Sequence, residues 1–231
     1  MSFDDPQFWL AVVQIILIDI VLGGDNAVVI ALACRRLPEH QRKLGIFWGV
    51  FGAIALRIVL IFFALSLLAI PYLKIGGAIL LIWIGIKLLQ PESEGEHEID
   101  ASTTLIGAIK TIIVADAVMS LDNVIAIAGA AKDDLSLVIF GLVISVPIIV
   151  WGSQLVMKIM DRYPITIAIG AGLLGWIAGD MVVTDVVTKE WVNMQAQYLH
   201  WVAPATAAVF VILVGKVMAA RQQAKVKPIV D

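Results

Sequence analysis

Two short stretches hold the side chains that could do chemistry, and they are one pattern written twice. The first contains Asp19, Asp25 and Asn26, and the second contains Asp116, Asp122 and Asn123. Each is an Asp, five residues, then an Asp-Asn pair. All six side chains offer oxygen donors. Carboxylates and amides are hard donors that suit Mn²⁺, Mg²⁺ or Ca²⁺, whereas Cu⁺ or Zn²⁺ would call for thiolate or imidazole. Both stretches lie inside runs of Ala, Val, Ile and Leu long enough to cross a bilayer. An Asp at the bilayer centre costs about 2.5–3.5 kcal/mol, so these groups must face a cavity, a cation or one another. Stapling helices together is the bland alternative, which Ser, Asn or Gln would do at lower cost.

Spacing limits what the motif can build. Asp19 and Asn26 are seven apart and share a helix face, while Asp25 lies about 100° round from Asn26. Gly23-Gly24 predicts a break that would free the carbonyls of Val21, Leu22 or Gly23 for a cation and let Asn26 cap the helix that follows. The second copy has Ser120-Leu121 there instead. In unbroken helices Asp25 and Asp122 would lie about 9 Å from Asp19 and Asp116, towards opposite sides of the membrane. The expected centre is therefore Asp19 with Asp116. The two Asp-Asn pairs either complete it through unwound helices or guard its two approaches in turn.

The elements that position these residues follow from composition. The chain is 61% hydrophobic and 15% charged, with a mean hydropathy of +0.97, well outside soluble composition. Hydropathy predicts an all-α polytopic membrane protein with seven transmembrane helices, at about 7–33, 44–70, 73–90, 102–130, 135–158, 164–187 and 199–219. The first begins after Asp4-Asp5-Pro6 without a basic n-region or an Ala-x-Ala site, and reads as a retained span. Arg35, Arg36, Arg42, Lys43, Lys158, Arg162, Lys216, Arg221, Lys225 and Lys227 fall on one side, against Lys74, Lys132 and Lys189 on the other. The positive-inside rule then puts the N-terminus outside and the C-terminus in the cytoplasm.

The motif copies are 97 positions apart, and Trp83-Ile84-Gly85 matches Trp176-Ile177-Ala178 at 93. Three spans per repeat is odd, so the halves have opposite orientation, a transporter architecture with its site near the midplane. One membrane domain over residues 1–231 is expected to comprise repeat 1 (about 7–90), an acidic linker (91–101), repeat 2 (about 102–187) and an extra helix (about 199–219), a packing or oligomer element. Ala171, Gly175 and Gly179 stack at four-residue spacing, which lets a neighbouring backbone come close.

Two further charges within spans are candidates for the ion path. Arg57 must find a carboxylate or a wet cavity, with the motif aspartates as its expected partners, and Asp180 lies in the outer half of span six. Lys87 and Lys110 are near enough to span ends to snorkel, and Asp185 falls near the outer surface. Met119 and Met181 read as packing. Cys34, alone, excludes an internal disulfide. His40, His97 and His200 lie in loops or near helix ends. No Gly-x-x-x-x-Gly-Lys-Ser/Thr stretch indicates direct use of ATP, and no nucleophile with a neighbouring base indicates an enzyme. Neither a cofactor nor a nucleic-acid partner is expected. The expected partners are the bilayer, a transported divalent cation and an exchanging proton, because carboxylates brought together at the midplane make a proton the cation's competitor. Export of an oxyanion would need more cationic groups than Arg57 against four aspartates.

Asp-Ile-Val-Leu-Gly-Gly-Asp-Asn-Ala-Val-Val-Ile-Ala and Ala-Asp-Ala-Val-Met-Ser-Leu-Asp-Asn-Val-Ile-Ala-Ile-Ala resemble the TerC family of bacterial integral membrane proteins, in its short form without a cytoplasmic regulatory domain. The resemblance covers most of the chain. It implies a manganese exporter of the bacterial inner membrane, with an older association with tellurium resistance. It also implies Asp19, Asp25, Asn26, Asp116, Asp122 and Asn123 as the metal-path residues. The competing expectation is a non-transporting membrane scaffold in metal loading or stress resistance.

Overall fold

A computed structural model of the chain describes residues 6–22, 24–63, 66–67, 69–90, 104–131 and 135–226. Among them every regular element is helical: α1 Pro6–Leu22, α2 Gly24–Cys34, α3 Glu39–Phe62, α4 Leu73–Leu89, α5 Leu105–Ala131, α6 Leu135–Arg162, α7 Ile165–Thr184, α8 Lys189–Gln195 and α9 Leu199–Val226. In hydrocarbon an open backbone has no water to bond, so apolar runs of this length close their hydrogen bonds internally as helices. By length and composition four segments can cross a membrane, Glu39–Phe62, Ser136–Arg162, Ile165–Thr184 and Leu199–Gln222, and α1 with α2 makes a fifth if that bent pair is one span. The expectation of seven goes further than this count. Helix α4 has 17 residues, and α5, with 27, carries Lys110, Asp116 and Asp122.

Several expected boundaries shift. The first span, expected as one segment over 7–33, is two helices bent by 50°, meeting across Gly23, which lies outside the described residues. Helix α3 ends at Phe62, and in the remainder of the second expected span residues 66–67 are again helical. The chain then turns through Tyr72, whose φ of 64° caps the start of α4 in the left-handed region. The short helix α8 was not anticipated; its Lys189, Glu190 and Asn193 kept it out of the hydropathy pattern. Helix α9 runs to Val226, past the expected end at 219. The acidic linker at 91–101 lies outside the described residues.

Helices α1 and α2 pack on α5 and α6, α3 on α5, α4 on α7, and α9 along α7 and α4. Small residues set how close these pairs come. A Cβ added at Gly49 would lie 2.5 Å from Ile112 Cδ1, which locks α3 to α5 two turns from Arg57. The stripe on α7 does admit a backbone: a Cβ at Gly175 would lie 2.6 Å from the Ala207 carbonyl oxygen, and one at Gly179 2.5 Å from that of Ala203. The helix that uses the stripe is α9. Met119 and Met181 are buried in the main apolar cluster, as packing residues should be.

Candidate functional site

Five helices send polar side chains into one buried place. Asp19 comes from α1, Asn26 from α2, Arg57 from α3, Asp116 and Ser120 from α5, and Ser145 from α6, none of them more than 7% exposed. Asp116 and Ser120 are one helical turn apart, so they share a face of α5. Arg57 lies at the centre. One terminal nitrogen donates to Asp19 Oδ1 and the other to Asp116 Oδ1, the latter at 2.5 Å, while Nε donates to Ser120 Oγ at 3.0 Å. Ser120 in turn donates to Asp116 Oδ2 at 3.2 Å, and Ser145 donates to Asp19 Oδ2. A planar guanidinium suits this bridging because its donors point along fixed directions.

The charges do not cancel. With both carboxylates ionised, two negative groups meet one positive group, which leaves one unit of negative charge in an environment that penalises it. A further proton or a cation would neutralise this cluster. Beside it is a cavity with about 20 Å³ of room for the centre of a water-sized sphere, lined by Asn26, Arg57 and Asp116 together with apolar side chains such as Ile30, Val50 and Ile112. That is enough for a single water or a bare ion. Asn26, 3% exposed, presents a side-chain amide whose nitrogen and oxygen both have no hydrogen-bond partner among the described residues. A buried amide left in this state is a donor and an acceptor awaiting a ligand.

Asn26 was expected to cap the second half of the broken span, and it does not. Asp25, in the first turn of α2, accepts the Asn26 backbone N–H on its Oδ1 at 2.9 Å. The aspartate's own carboxylate is nearer in sequence to the N-terminal amides, which leaves the asparagine free to face the cavity. Asp25 is half-buried and within electrostatic reach of Asp116 and Arg57 without touching either. In the second copy Asn123 is buried, and the Asp122 side chain lies outside the described residues. Asp180 is half-buried on α7 and is not part of the cavity lining. Among the described residues no group of three or more His, Cys, Asp or Glu side chains is placed to hold a metal.

Sequence reasoning named the two aspartates and the arginine but missed both serines. Ser120 was visible as the only hydroxyl inside either motif, and Ser145 as a hydroxyl in the apolar run before Pro147. It also undervalued Asp185. This buried residue, just past the end of α7, accepts backbone N–H groups from Tyr72 at 3.2 Å, Lys74 at 3.1 Å, Ile75 at 3.4 Å and Val187 at 3.0 Å. Burial alone would raise its pKa, but these N–H donors together hold it below the ordinary carboxylate value. It supplies the side-chain cap that α4 lacks in its own sequence.

The integral membrane protein TerC family matches residues 4–223. The chain is 44% identical over 211 residues to an uncharacterized membrane protein, YjbE, of Bacillus subtilis, covering 90% of this chain and 95% of that one. It is 29% identical over 177 residues to the inner membrane protein YgdQ of Escherichia coli, with 69% and 74% covered. A Haemophilus influenzae UPF0053 protein is 30% identical over 179 residues, with 69% and 75% covered. No solved structure matches the chain. From the extent of the match and the doubled Asp…Asp-Asn motif alike, this chain belongs to the TerC family of integral membrane proteins.

Proposed function

We propose that the protein is a secondary transporter that exports a divalent metal cation, Mn²⁺ foremost, across the bacterial inner membrane, through a site between two inverted repeats. The observation that carries this reading is the meeting of two carboxylates, Asp19 and Asp116, on the single guanidinium of Arg57, beside an Asn26 amide with no hydrogen-bond partner among the described residues. A site with more carboxylates than guanidinium groups favours a cation over an anion, which speaks against export of an oxyanion. In the ion-free form Arg57 holds the two carboxylates together. An arriving cation takes over Asp19, Asp116 and Asn26, with serine or main-chain oxygens completing the shell, and Arg57 withdraws towards Ser120. All these donors are oxygen, as Mn²⁺, Mg²⁺ and Ca²⁺ prefer.

The seven-span, two-repeat arrangement is supported by the packing. The first element of each half lies on the second element of the other, α1 and α2 on α6 and α5 on α3, and the third elements, α4 and α7, lie on each other. That exchange of partners is what a two-fold axis between the halves would produce. The cytoplasmic assignment of the C-terminus is supported by a basic cluster at one end of the bundle. There Arg35 and Arg36 donate to the Leu88 carbonyl at 2.8 and 3.2 Å, and Arg42 pairs with Asp161 at 3.2 Å.

Proteoliposomes loaded with a fluorescent metal chelator test the reading directly. Wild-type protein should admit Mn²⁺, whereas Asp19→Asn and Asp116→Asn should reduce the rate at least tenfold while still inserting. Equal rates for all three would remove the transporter in favour of the scaffold alternative. Proton exchange predicts that dissipating a pH gradient slows uptake, and insensitivity to the gradient would leave the cation site without that coupling.

A further inference from the structure

The charged centre lies between two apolar layers. On one side Ile30, Val50, Ile112 and Ile149, all buried, close the small cavity. Ile30 is one turn after Asn26 on α2, Val50 two turns before Arg57 on α3, Ile112 one turn before Asp116 on α5 and Ile149 one turn after Ser145 on α6. All four therefore lie between the centre and one end of the bundle. The helices share that end: Arg42 pairs with Asp161 there, and a Cβ added at Gly45 would lie 2.8 Å from Leu37, 3.1 Å from Cys34 and 3.4 Å from Leu105. On the other side Ile15, Ile61, Ile127 and Leu142 belong to a second buried cluster. They lie one or two turns from Asp19, Arg57, Ser120 and Ser145 in the opposite direction.

The two layers correspond residue by residue. Ile15 and Ile112 are 97 positions apart, as are Ile30 and Ile127, which is the offset of the motifs themselves; Val50 and Leu142 are 92 apart. Their seats correspond too. A Cβ at Gly49 would lie 2.5 Å from Ile112 Cδ1, and one at Gly141 would lie 2.5 Å from Ile15 Cγ2. These glycines are again 92 apart. A core packed only for density has no need to seat an isoleucine on a facing glycine twice, at matching positions on opposite sides of a charge.

We propose that these layers are the two gates of the cation path, one closed by Ile112 on Gly49 with Ile30 and Val50, the other by Ile15 on Gly141 with Ile127 and Leu142. The inference rests on the transport reading. An apolar constriction too narrow for water stops an ion by denying it hydration. Each plug is one turn from the aspartate it shields and on the same helix, so a shift of α1 or α5 moves carboxylate and plug together. Unseating Ile112 opens the centre towards the end that bears Arg42, and unseating Ile15 opens it towards the other. With both seated, as here, the centre is occluded.

The test is cysteine accessibility in the full chain carrying Cys34→Ala. Thiols are introduced singly by Ala53→Cys, in the cavity lining on the Ile112 side, and by Ser145→Cys, beside Asp19 on the Ile15 side. Detergent-purified protein is exposed to Ag⁺, a bare cation that binds thiols, and the thiols left over are counted with a fluorescent maleimide after denaturation. Ile112→Ala should speed the reaction of Ala53→Cys about tenfold and leave Ser145→Cys at its starting rate, because it removes most of the contact that shuts one layer only. Ile15→Ala should do the reverse. Melting checks folding, and Ile112→Val with Ile15→Val should give the same order at a smaller factor if an alanine variant unfolds. Equal acceleration at both thiols would mean general loosening and would overturn the proposal, as would no acceleration at either. Mn²⁺ influx is followed in proteoliposomes of the wild type. No influx beside the reciprocal labelling pattern would strike the transport reading and leave the two seals standing.

Discussion

The two motif copies use the same residues on different backbones. The first is split, with α1 ending at Leu22 and α2 beginning at Gly24 at 50° to it; the second runs unbroken through Ser120-Leu121 in α5. Where the first copy has Gly23, the second has Ser120, whose hydroxyl both accepts from Arg57 and donates to Asp116. Asp19 has no such helper on its own helix and takes Ser145 from α6. The broken copy thus gives up local support for its aspartate, and its asparagine amide is left without a partner among the described residues beside the cavity. One half holds its carboxylate from within and the other depends on its neighbours, with Arg57 joining them.

Removing the joint should break the comparison outright. Arg57→Ala would leave Asp19 and Asp116 facing each other, both buried and without a counter-charge. Loss of one partner from a buried ion pair costs about 3–5 kcal/mol. Thermal unfolding in detergent should fall accordingly, Arg57→Lys should recover part of the loss, and the double variant Arg57→Ala with Asp116→Asn should be less damaged than Arg57→Ala alone. An additive double variant would mean that the two charges do not act as a unit.

Making the second copy resemble the first is the next largest change. Ser120→Gly removes one hydroxyl that bridges two charged groups, a loss of about 1.5–3 kcal/mol for the bridge as a unit, and adds helix-interior glycine cost of about 1 kcal/mol. Ser145→Ala removes the corresponding support of Asp19. If the halves differ as described, Ser120→Gly should lower stability more than Ser145→Ala, as measured by the same unfolding assay. Equal losses would make the local support of Asp116 unimportant.

How much of this was legible in the sequence depends on whether the signal was local. The doubled motif, the apolar runs and the need of Arg57 for a carboxylate could be read directly, because a charge in an apolar segment demands a partner whatever the fold. That one guanidinium would serve both aspartates was not readable, since it depends on α1, α3 and α5 converging. The same holds for Asp185, whose four backbone donors come largely from a turn more than 100 positions away. Gly23-Gly24 announced the bend, but a dipeptide does not state where the next side chains will turn, and it is Asp25 rather than Asn26 that bonds a first-turn backbone N–H of α2.

The stripe on α7 bears on whether the halves are held rigidly. Gly179→Ala would push a methyl group to 2.5 Å from the Ala203 carbonyl oxygen, against backbone that has no side chain to swing aside. Overpacking of this kind costs about 1–3 kcal/mol. The loss should appear in unfolding while Mn²⁺ flux per folded molecule stays near the wild-type value, since neither residue lines the cavity. A selective loss of flux with unchanged stability would instead make the α7–α9 contact a moving surface.

The smallest effect separates a carboxylate held by backbone from the two held by a guanidinium. Asp185 has a folded pKa below its ordinary value, so its contribution is present at pH values above about 3.9 and is lost as pH falls through the folded value. Asp185→Asn should therefore cost about 1 kcal/mol at neutral pH, the usual size of a helix cap, and nothing once the wild-type carboxyl is protonated. Unfolding of wild type and variant, compared from pH 7 downward, should converge at the acid end. Parallel curves would mean that the geometry of the turn at Tyr72, and not the charge of Asp185, is what fastens α4 to the end of α7.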